Sequence, residues 1–340
     1  MDIKAKRIFE RHRDFILQEA AERYACYIGS LTLLGSFESI VYEYDDDDRN
    51  FILKISDSIH RSADLIKGEM EWVDYLADNG VPVCRALPSR NGKLVETVPV
   101  AGIRTPPDFY FSLVAIEKAR GTGIRASDWN DRLIAQWGQI TGRIHALAKK
   151  YHPPDSSHRR FDWRDDGFML WRQCNPATHS QPVVVEKCRN IIERLHNLPI
   201  NEGSYGLIHA DLHHWNFLVH NGSITIFDTD DCRYDWFAHD IAIPLAYSLF
   251  VPGLATDRIS FAVYFLSHFL SGYRRENTID PFWIEQVPVF MKLRELDLYM
   301  ILLNEDPAGY DGWCRNFMKN RRWLIENDMP LVDIDFSAFK

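Results

Sequence analysis

The dipeptide Asn221-Gly222 constrains this 340-residue chain more than any other feature, because it separates two short apolar runs. Asn-Gly in that setting is the strongest short-range signal for a β-hairpin with a two-residue type I′ turn. If these two residues form the turn, His220 pairs with Ser223 and the ladder runs back along both strands. The same register places Asn216 opposite Phe227, the residue before Asp228. Asn216 and Asp228 are therefore expected side by side at the open end of the hairpin.

Asp211 enters the same end from the loop that precedes the hairpin. The amide oxygen of Asn216 and the carboxylates of Asp211 and Asp228 are hard oxygen ligands, which suit Mg²⁺ held jointly with phosphates. Phosphoryl transfer needs such a metal and an acceptor for the proton of the incoming hydroxyl. In kinase catalytic loops an Asp accepts that proton, while a later Asn and a second Asp bind metal. The order of the three residues matches this arrangement, and His209 stands where the loop's first His belongs.

Around these residues the sequence resembles the aminoglycoside phosphotransferase and choline kinase superfamily. It is most similar to the branch that contains type II homoserine kinases and the bacterial stress-response kinase. Asp228-Thr229-Asp230-Asp231 stands where that branch has D-F-D-D, and Asp240-Ile241-Ala242 stands where it has D-[IL]-A. The resemblance extends over about residues 30–304, and its weaker matches are Phe269–Tyr273 and Lys292–Glu295.

The resemblance implies an α+β, bilobal protein-kinase-like fold. An N-lobe with an antiparallel sheet and helices would precede a mostly helical C-lobe. It implies ATP and Mg²⁺ as cofactors, with Asp211 as the catalytic base and with Asn216 and Asp228 as metal ligands. Lys54 would contact the α- and β-phosphates of ATP, and Glu69 on the following helix would pair with Lys54.

Two backbone segments complete the nucleotide site that the resemblance implies. The turn that begins with Gly35 and Ser36 would lie over the phosphates. The backbone from Glu117 to Ala119 would hold adenine at the hinge. The turn has a single glycine and does not match G-x-G-x-x-G, so an ordinary turn would also explain it.

Four further residues near the metal site are assigned supporting roles. Asp230 and Asp231 are candidates for lining the acceptor side, although a second metal site or a brace for the loop would also fit them. His209 and Asp240 are candidates for structural support, and Asp240 would act as a helix N-cap or as a loop brace.

Several assignments compete with ordinary structural roles. A solvated strand lysine would explain Lys54, and Glu71 competes with Glu69 as its partner. Trp215 stands where many relatives have a small residue, which bears on the shape of the catalytic loop. Thr229 replaces the Phe of D-F-D-D, which bears on any in/out switch of the kind that protein kinases have.

Hydrophobic periodicity supplies the remaining elements. The lobe boundary is placed where strand signals give way to long helices, which divides the chain into an N-lobe, residues 1–117, and a C-lobe, residues 118–340. The predicted helices are residues 4–28, 62–78, 127–150 and roughly 257–304, and the predicted N-lobe strands are residues 31–34, 40–44, 51–55, 94–100 and 109–116.

Charge and composition argue against several classes of partner. The net charge of −9 is the wrong sign for a phosphate backbone, so nucleic acid is not expected as a partner. The longest uncharged run, residues 241–256, is shorter than the ~20 apolar residues of a membrane span, so no membrane partner is expected. Six dispersed cysteines without a C-x-x-C pair, and an N-terminus without an apolar signal segment, predict a cytoplasmic protein.

Two other classes of function compete with phosphotransfer. His209, Asp211, His213 and His214 invite comparison with zinc hydrolases, but the order H-x-D-x-H-H differs from H-x-H-x-D-H and no later ligands match. An inactive kinase-fold module with a binding or regulatory role is the second alternative. The intact catalytic and metal-binding positions argue against it.

The phosphate acceptor is expected to be a small polar or cationic molecule with a free hydroxyl. Asp230 and Asp231 add acidic groups beside the metal site, and no long activation segment or A-P-E motif follows them. A protein Ser/Thr kinase of the stress-response type is the alternative. No residue discriminates among aminoglycosides, choline, homoserine and other acceptors, and the sequence does not specify the oligomeric state.

Overall fold

The computed structural model describes residues 3–36, 38–46, 49–100, 108–165, 180–254 and 257–340. The chain forms two compact units. The first unit comprises Met1–Arg120 and His152–Arg160, and the second comprises Gly121–Tyr151 and Phe161–Lys340. The boundary proposed from the sequence, between residues 117 and 118, lies three residues before this division. The sequence analysis did not predict that His152–Arg160 belongs to the first unit.

The first unit is an antiparallel sheet with two helices. Its elements are α1 Ile3–Tyr24, β1 Thr32–Gly35, β2 Ile40–Asp46, β3 Arg49–Asp57, α2 Ala63–Asp78, β4 Ala86–Leu87, β5 Glu96–Pro99 and β6 Tyr110–Glu117. The strands follow the order β1-β2-β3-β6-β4, and β5 pairs with β6. The predicted strands are confirmed, and the short β4 was not predicted.

The two helices of the first unit pack on opposite faces of its sheet. Leu53 and Ile55 of β3 are fully buried in one core cluster with Ile16 of α1. On the other face, Val114 of β6 is buried in a second cluster with Ile66 and further residues of α2. Alternate residues of the central strands therefore point to different helices, as the period of a β-strand requires.

The first helix ends earlier than the sequence predicts. It was expected to reach residue 28, but α1 ends at Tyr24 because Ala25 adopts a left-handed conformation with φ 59°. The amide of Cys26 then donates to the carbonyl of Ala21 at 3.2 Å, which closes the helix end. Glycine is the usual residue at such an end, so alanine gave no stop signal.

The segment His152–Arg160 packs against α2. The ring Nδ1 of His158 lies 2.8 Å from Glu71 Oε1, and Arg160 donates to the carbonyl of Leu65 at 2.8 Å. Gly68 permits this contact, because a Cβ atom there would lie 1.8 Å from the carbonyl oxygen of His158. These contacts explain why the segment belongs to the first unit.

The second unit is mostly helical. Its elements are α3 Asp131–Ala148, α4 Pro182–His196, β7 Tyr205–Ile208, β8 Phe217–His220, β9 Ser223–Ile226, β10 Arg233–Trp236, α5 Phe237–Ser248, α6 Arg258–Tyr273, α7 Pro281–Leu302, α8 Gly312–Met318 and α9 Arg321–Glu326. The strands form two small antiparallel sheets, β7 with β10 and β8 with β9. The sequence analysis did not predict α4, α8, α9, β7 or β10. Together with the first unit, this confirms the predicted α+β class.

Helices α3 and α6 approach each other through glycine. A Cβ atom on Gly138 would lie 1.9 Å from the carbonyl oxygen of Phe269, and one on Gly272 would lie 1.8 Å from that of Ala135. The two backbones therefore come closer than side chains would allow. Trp137, beside this contact, is fully buried and packs edge-on against Phe265.

Within the ranges that the structure describes, no helix combines the length and the hydropathy that a membrane crossing requires.

Replacement of Gly138 by alanine tests the close approach of α3 and α6. Alanine normally stabilises a helix interior by about 1 kcal/mol relative to glycine. Here the added methyl group meets a carbonyl oxygen, so Gly138→Ala should lower the free energy of unfolding by about 1–3 kcal/mol. Urea denaturation measures the loss. Gly309→Ala is the control, because a Cβ atom there meets nothing within 4 Å. Equal stability of the two variants would contradict the packing argument.

Candidate active site

The hairpin predicted from Asn221-Gly222 forms with the predicted register. His220 pairs with Ser223, and the ladder continues to Phe217 opposite Ile226. Both turn residues have positive φ, 50° for the asparagine and 75° for the glycine, as a type I′ turn requires. The local chemistry of the turn therefore fixes which residues reach the open end.

Asn216 and Asp228 meet at that open end. The carbonyl of Asn216 accepts a hydrogen bond from the amide of Phe227 at 3.0 Å, which continues the ladder by one residue. Asp228 follows in a left-handed conformation with φ 61°, and its side chain is exposed. An aspartate tolerates this conformation better than most residues, and it turns the chain out of the strand.

Three side chains hold the carboxylate of Asp211. The amide nitrogen of Asn216 donates to its Oδ2 at 3.0 Å and to its main-chain oxygen at 2.8 Å. His213 Nδ1 accepts from the amide of Trp215 at 3.2 Å, so its Nε2 carries the ring proton and faces Asp211 Oδ2 at 3.2 Å. Arg294 donates to the other oxygen, Oδ1. The carboxylate keeps 17% of its side-chain surface exposed, so a ligand can still approach it.

The charges around Asp211 keep it ionised. Burial by itself would raise the pKa of this carboxyl, but the interactions with His213 and Arg294, including the hydrogen bond from His213, outweigh burial and hold the pKa well below its ordinary value. Burial also opposes the charge on Arg294, while Tyr247, Asp211 and Asp297 raise the pKa of the guanidinium well above its usual range. Each buried charge is stabilised by the other.

Arg294 is the site residue that the sequence analysis did not assign. It lies on α7 and also donates to the hydroxyl of Tyr247 at 2.6 Å and to Asp297 at 2.9 Å. The chain carries it 83 positions beyond Asp211, so no local spacing connects the two. The one sequence signal at this position was the match of Lys292–Glu295 to the family, which indicates no partner for Arg294.

Asp240 braces the loop that carries Asp211. Its two carboxylate oxygens accept hydrogen bonds from the amides of His209 at 2.9 Å and Ala210 at 2.7 Å. Ala210 has a φ of 64°, which is strained for a residue with a Cβ atom. The structure thus gives Asp240, at the start of α5, the geometry of a loop brace.

A buried chain of hydrogen bonds supports Asp240 in turn. His145 Nε2 lies 3.3 Å from its Oδ2, and His145 Nδ1 lies 2.9 Å from the hydroxyl of Tyr273. Burial lowers the pKa of His145, so the ring is neutral near pH 7. His145 is thus a core histidine, and both of its ring nitrogens have hydrogen-bond partners.

His209 is fully buried beneath the loop. Among the residues that the structure describes, it does not join Asp211, His213 or His214 in a cluster that could hold a metal ion. The histidines therefore do not form the zinc centre that their spacing suggested.

Five rings form an aromatic wall beside Asp211, and this name is used below for His213, His214, Trp215, Tyr247 and Trp313. The rings of His213 and Tyr247 stack with centroids 4.1 Å apart, and Tyr247 stacks on Trp313 at 5.0 Å. Trp215 meets Trp313 edge-on at 5.3 Å. Trp215, which departs from its relatives, is thus part of a packed cluster.

The residues after Asp228 form a tight turn. The amide of Cys232 donates to the carbonyl of Thr229 at 2.9 Å, and Thr229 and Asp230 are buried. Asp231 is half-buried, and its charge contributes to the raised pKa of Arg294. Asp231 is therefore within electrostatic reach of Arg294, the residue that contacts Asp211.

Lys54 and Glu69 belong to the first unit. Lys54 pairs with Val114 across the sheet, so its side chain points to the face that α2 covers. Glu69 is buried on the face of α2 that carries Ile66 and Val73. Glu71 instead contacts His158, which makes Glu69 the better candidate to face Lys54.

The two backbone segments predicted to bind the nucleotide have different surroundings in the structure. Gly35 and Ser36 are exposed, and a Cβ atom on Gly35 would meet nothing within 4 Å. The main-chain amides of Glu117 and Lys118 already donate hydrogen bonds to the carbonyl oxygens of Arg85 and Asn50. The amide of Ala119 has no main-chain acceptor within the described ranges, so it is available to a ligand.

The donor set fits a hard divalent cation. Because Asn216 turns its amide nitrogen to Asp211, its oxygen is the atom left for a metal. Asp228 adds an exposed carboxylate from the adjacent strand. Oxygen donors of this kind match the preference of Mg²⁺, which keeps several waters or phosphate oxygens in its shell.

Comparison with known proteins identifies the relatives of the chain. A model of the phosphotransferase enzyme family matches residues 30–276. The amicoumacin kinase of Bacillus subtilis (strain 168) is 37% identical over 337 residues, which are 98% of this chain and 97% of that protein.

Solved structures give the same result for the fold. The amicoumacin kinase hAmiN, in complex with AMP-PNP, Ca²⁺ and Ami, superposes with a TM-score of 0.90 at 35% identity over the whole of both chains. A microcompartment-associated aminopropanol kinase superposes with a TM-score of 0.71 at 21% identity, covering 93% of this chain and 98% of its own. The fold predicted from the sequence is confirmed.

Substitution of Asp240 tests the loop brace through its pH dependence. Burial opposes ionisation of Asp240, but His145 and the amide of Ala210 outweigh it and lower the pKa of the carboxyl. An ordinary Asp has a pKa near ~3.9, so the stabilisation is complete above about pH 5 and is lost as the pH falls through the folded-state value. Asp240→Asn should lower the free energy of unfolding at pH 7 by about 1–3 kcal/mol.

Urea denaturation at several pH values checks this expectation. The difference between wild type and Asp240→Asn should narrow as the pH falls below about 4, because Asp240 is protonated first in the unfolded chain and, at still lower pH, in the folded protein. Asp280→Asn is the control, because Asp280 caps α7 by accepting one hydrogen bond that asparagine can also accept. A difference that stays constant down to the acid limit would show that the charge of Asp240 does not matter.

Proposed function

This chain belongs to the phosphotransferase enzyme family, and we propose that it is an ATP-dependent kinase that phosphorylates a hydroxyl of amicoumacin or of a closely related small molecule. The observation that carries the proposal is the full-length relationship to two amicoumacin kinases, one at 37% sequence identity and one with a TM-score of 0.90. Identity at this level over whole chains extends beyond the shared fold.

The class of acceptor predicted from the sequence, a small molecule with a hydroxyl, is confirmed by these relatives. The identity of the acceptor as amicoumacin is our proposal. We further assign Asp230 and Asp231 to the acceptor side, because they follow Asp228 directly and because Asp231 lies within electrostatic reach of Arg294.

We assign the role of catalytic base to Asp211. The hydroxyl oxygen of the acceptor attacks the γ-phosphorus of ATP, its proton passes to the Asp211 carboxylate, and the bond to the β-phosphate oxygen breaks to release ADP. The lowered pKa of Asp211 keeps it ionised, so it orients the hydroxyl before it accepts the proton. His213, Asn216 and Arg294 hold the carboxylate in one orientation for this purpose.

We propose roles for the remaining residues that the sequence analysis assigned to the nucleotide and its metal. Asn216 and Asp228 would hold Mg²⁺, which supplies charge neutralisation for the phosphate oxygens when it is bound. Lys54, supported by Glu69, would bind the α- and β-phosphates.

The backbone sites of the first unit would complete nucleotide binding. The amide of Ala119 and the carbonyl of Glu117 would bind adenine, because both atoms belong to the segment that leaves β6. Gly35 and Ser36 would lie over the phosphates.

We also propose a cytoplasmic location. Cys26, Cys84, Cys188, Cys232 and Cys314 are all free thiols. Disulfides accumulate in oxidising compartments, so free thiols support a reducing one. The dependence of the reaction on ATP supports the same location.

A transfer assay tests the proposed function. The protein is incubated with ATP, Mg²⁺ and amicoumacin, and mass spectrometry detects the gain of one phosphoryl group on the antibiotic while ADP is measured in parallel. Chelation of the metal with EDTA should abolish transfer, because the proposed ligands Asn216 and Asp228 would then have no cation to hold against the phosphates. A second incubation uses labelled ATP and the small molecules of a cell extract. If amicoumacin gains no phosphoryl group but another small molecule becomes labelled, the protein is a kinase with a different acceptor.

Asp211→Asn tests the assignment of the base. The amide keeps the shape of the side chain but cannot accept the proton, so kcat should fall by ~10²-fold or more. Binding of ATP, followed as the Mg²⁺-dependent increase in Tm, should persist because the metal ligands are unchanged. Turnover close to that of the wild type would remove Asp211 from the role of base.

A further inference from the structure

We propose that the exposed indole of Trp215 is a stacking platform for a planar aromatic group of the phosphate acceptor. This inference rests on the proposed function and deepens it, because it names a chemical feature that the acceptor carries in addition to its hydroxyl.

Trp215 is the exposed member of an otherwise buried loop. Its side chain is 46% exposed, whereas His213, His214 and Asn216 around it are buried. Burial of a tryptophan side chain is strongly favourable, so a large exposed indole on a buried loop is available to a ligand.

The indole is held in place by its neighbours rather than free to move. Trp313 meets it edge-on at 5.3 Å, and the ring of His214 lies 4.5 Å away in a tilted arrangement. Trp313 is itself fixed, since its Nε1 donates to the carbonyl of Tyr247 at 2.8 Å and its ring stacks on Phe317 at 5.4 Å. A rigid aromatic surface loses little entropy when a second ring stacks on it.

The platform lies next to the reacting group. His213 connects the two, because its Nε2 is 3.2 Å from Asp211 Oδ2 and its ring centroid is 5.5 Å from that of Trp215. One small molecule can therefore present a hydroxyl to Asp211 and a ring to Trp215 at the same time. Binding energy from the ring would then orient the hydroxyl for transfer.

The charges around the aromatic wall favour a neutral ring over a cation as the occupant. Arg294 places a guanidinium 5.2 Å from the ring centroid of Tyr247 and engages both Asp211 and Asp297. Asp311 accepts a hydrogen bond from the amide of Cys314 at the start of α8. A second cation placed against the wall would be repelled by Arg294. A planar ring needs no charged partner.

Steady-state kinetics with amicoumacin and ATP test the platform in the full-length protein. Trp215→Ala should raise KM for amicoumacin about tenfold or more while KM for ATP stays within about twofold, because stacking on the acceptor is lost and the nucleotide contacts are not. Trp215→Phe should restore most of the affinity. Trp323→Ala is the matched control, since Trp323 of α9 is 58% exposed in the same unit and should leave both KM values unchanged.

Two kinetic outcomes would overturn the proposal. An unchanged KM for amicoumacin in Trp215→Ala would show that the indole does not contact the acceptor. Equal increases in both KM values, without recovery in Trp215→Phe, would show that the substitution disturbs the catalytic loop as a whole.

A binding measurement without turnover separates this proposal from the proposed function. Saturation-transfer NMR follows two probes, 2-phenylethanol, which has a ring and a hydroxyl but no charge, and aminopropanol, which has a hydroxyl and an ammonium group but no ring. Binding of 2-phenylethanol should be lost in Trp215→Ala and retained in Trp323→Ala. Loss of aminopropanol binding alone would make Trp215 a cation site and overturn the proposal. If the wild type fails to phosphorylate amicoumacin, the proposed function fails, and the NMR result still decides whether Trp215 binds a ring.

Discussion

The two hydrogen bonds that Asp240 accepts from the amides of His209 and Ala210 fix the backbone on which the site is built. Ala210 has a positive φ, a conformation that costs a residue with a Cβ atom about 1–2 kcal/mol. The loop keeps this shape because α5 supplies the carboxylate of Asp240 and α3 supplies His145, which forms a hydrogen bond with that carboxylate. Two helices of the second unit thereby set the direction in which Asp211 leaves the chain.

The loop in this position brings the buried charges of Asp211 and Arg294 together. Asp211 and Arg294 would each be costly to bury alone, and their contact offsets much of that cost. Tyr247 and Asp297 share the guanidinium, so the arginine serves several partners at once. The result is a carboxylate that is charged, oriented and still partly open to a ligand, beside a wall of rings that has little net charge.

Local chemistry explains which parts of the structure the sequence predicts. The hairpin register follows from two turn residues, and the position of Asn216 follows from that register. The structure leaves the assigned roles of Lys54, Glu69 and Ala119 as proposals, although it places Lys54 and Glu69 on facing surfaces of β3 and α2. The pairing of Asp211 with Arg294 could not be predicted, because the two residues lie 83 positions apart and no pattern in the sequence connects them. The early end of α1 was also missed, because an alanine adopts the conformation that glycine usually signals.

The hairpin also has a consequence for the order in which the site assembles. Its strands are joined by two residues, and contacts of that kind form on a timescale of about 1–10 μs. The contact between Asp211 and Arg294 spans 83 positions, so it waits for the helices of the second unit to pack. Asn216 and Asp228, the proposed cation ligands, therefore come together before Asp211, the proposed base, acquires its partner. In a chain caught between these two events, the two proposed ligands would be adjacent, while the proposed base would still lack the arginine that orients it.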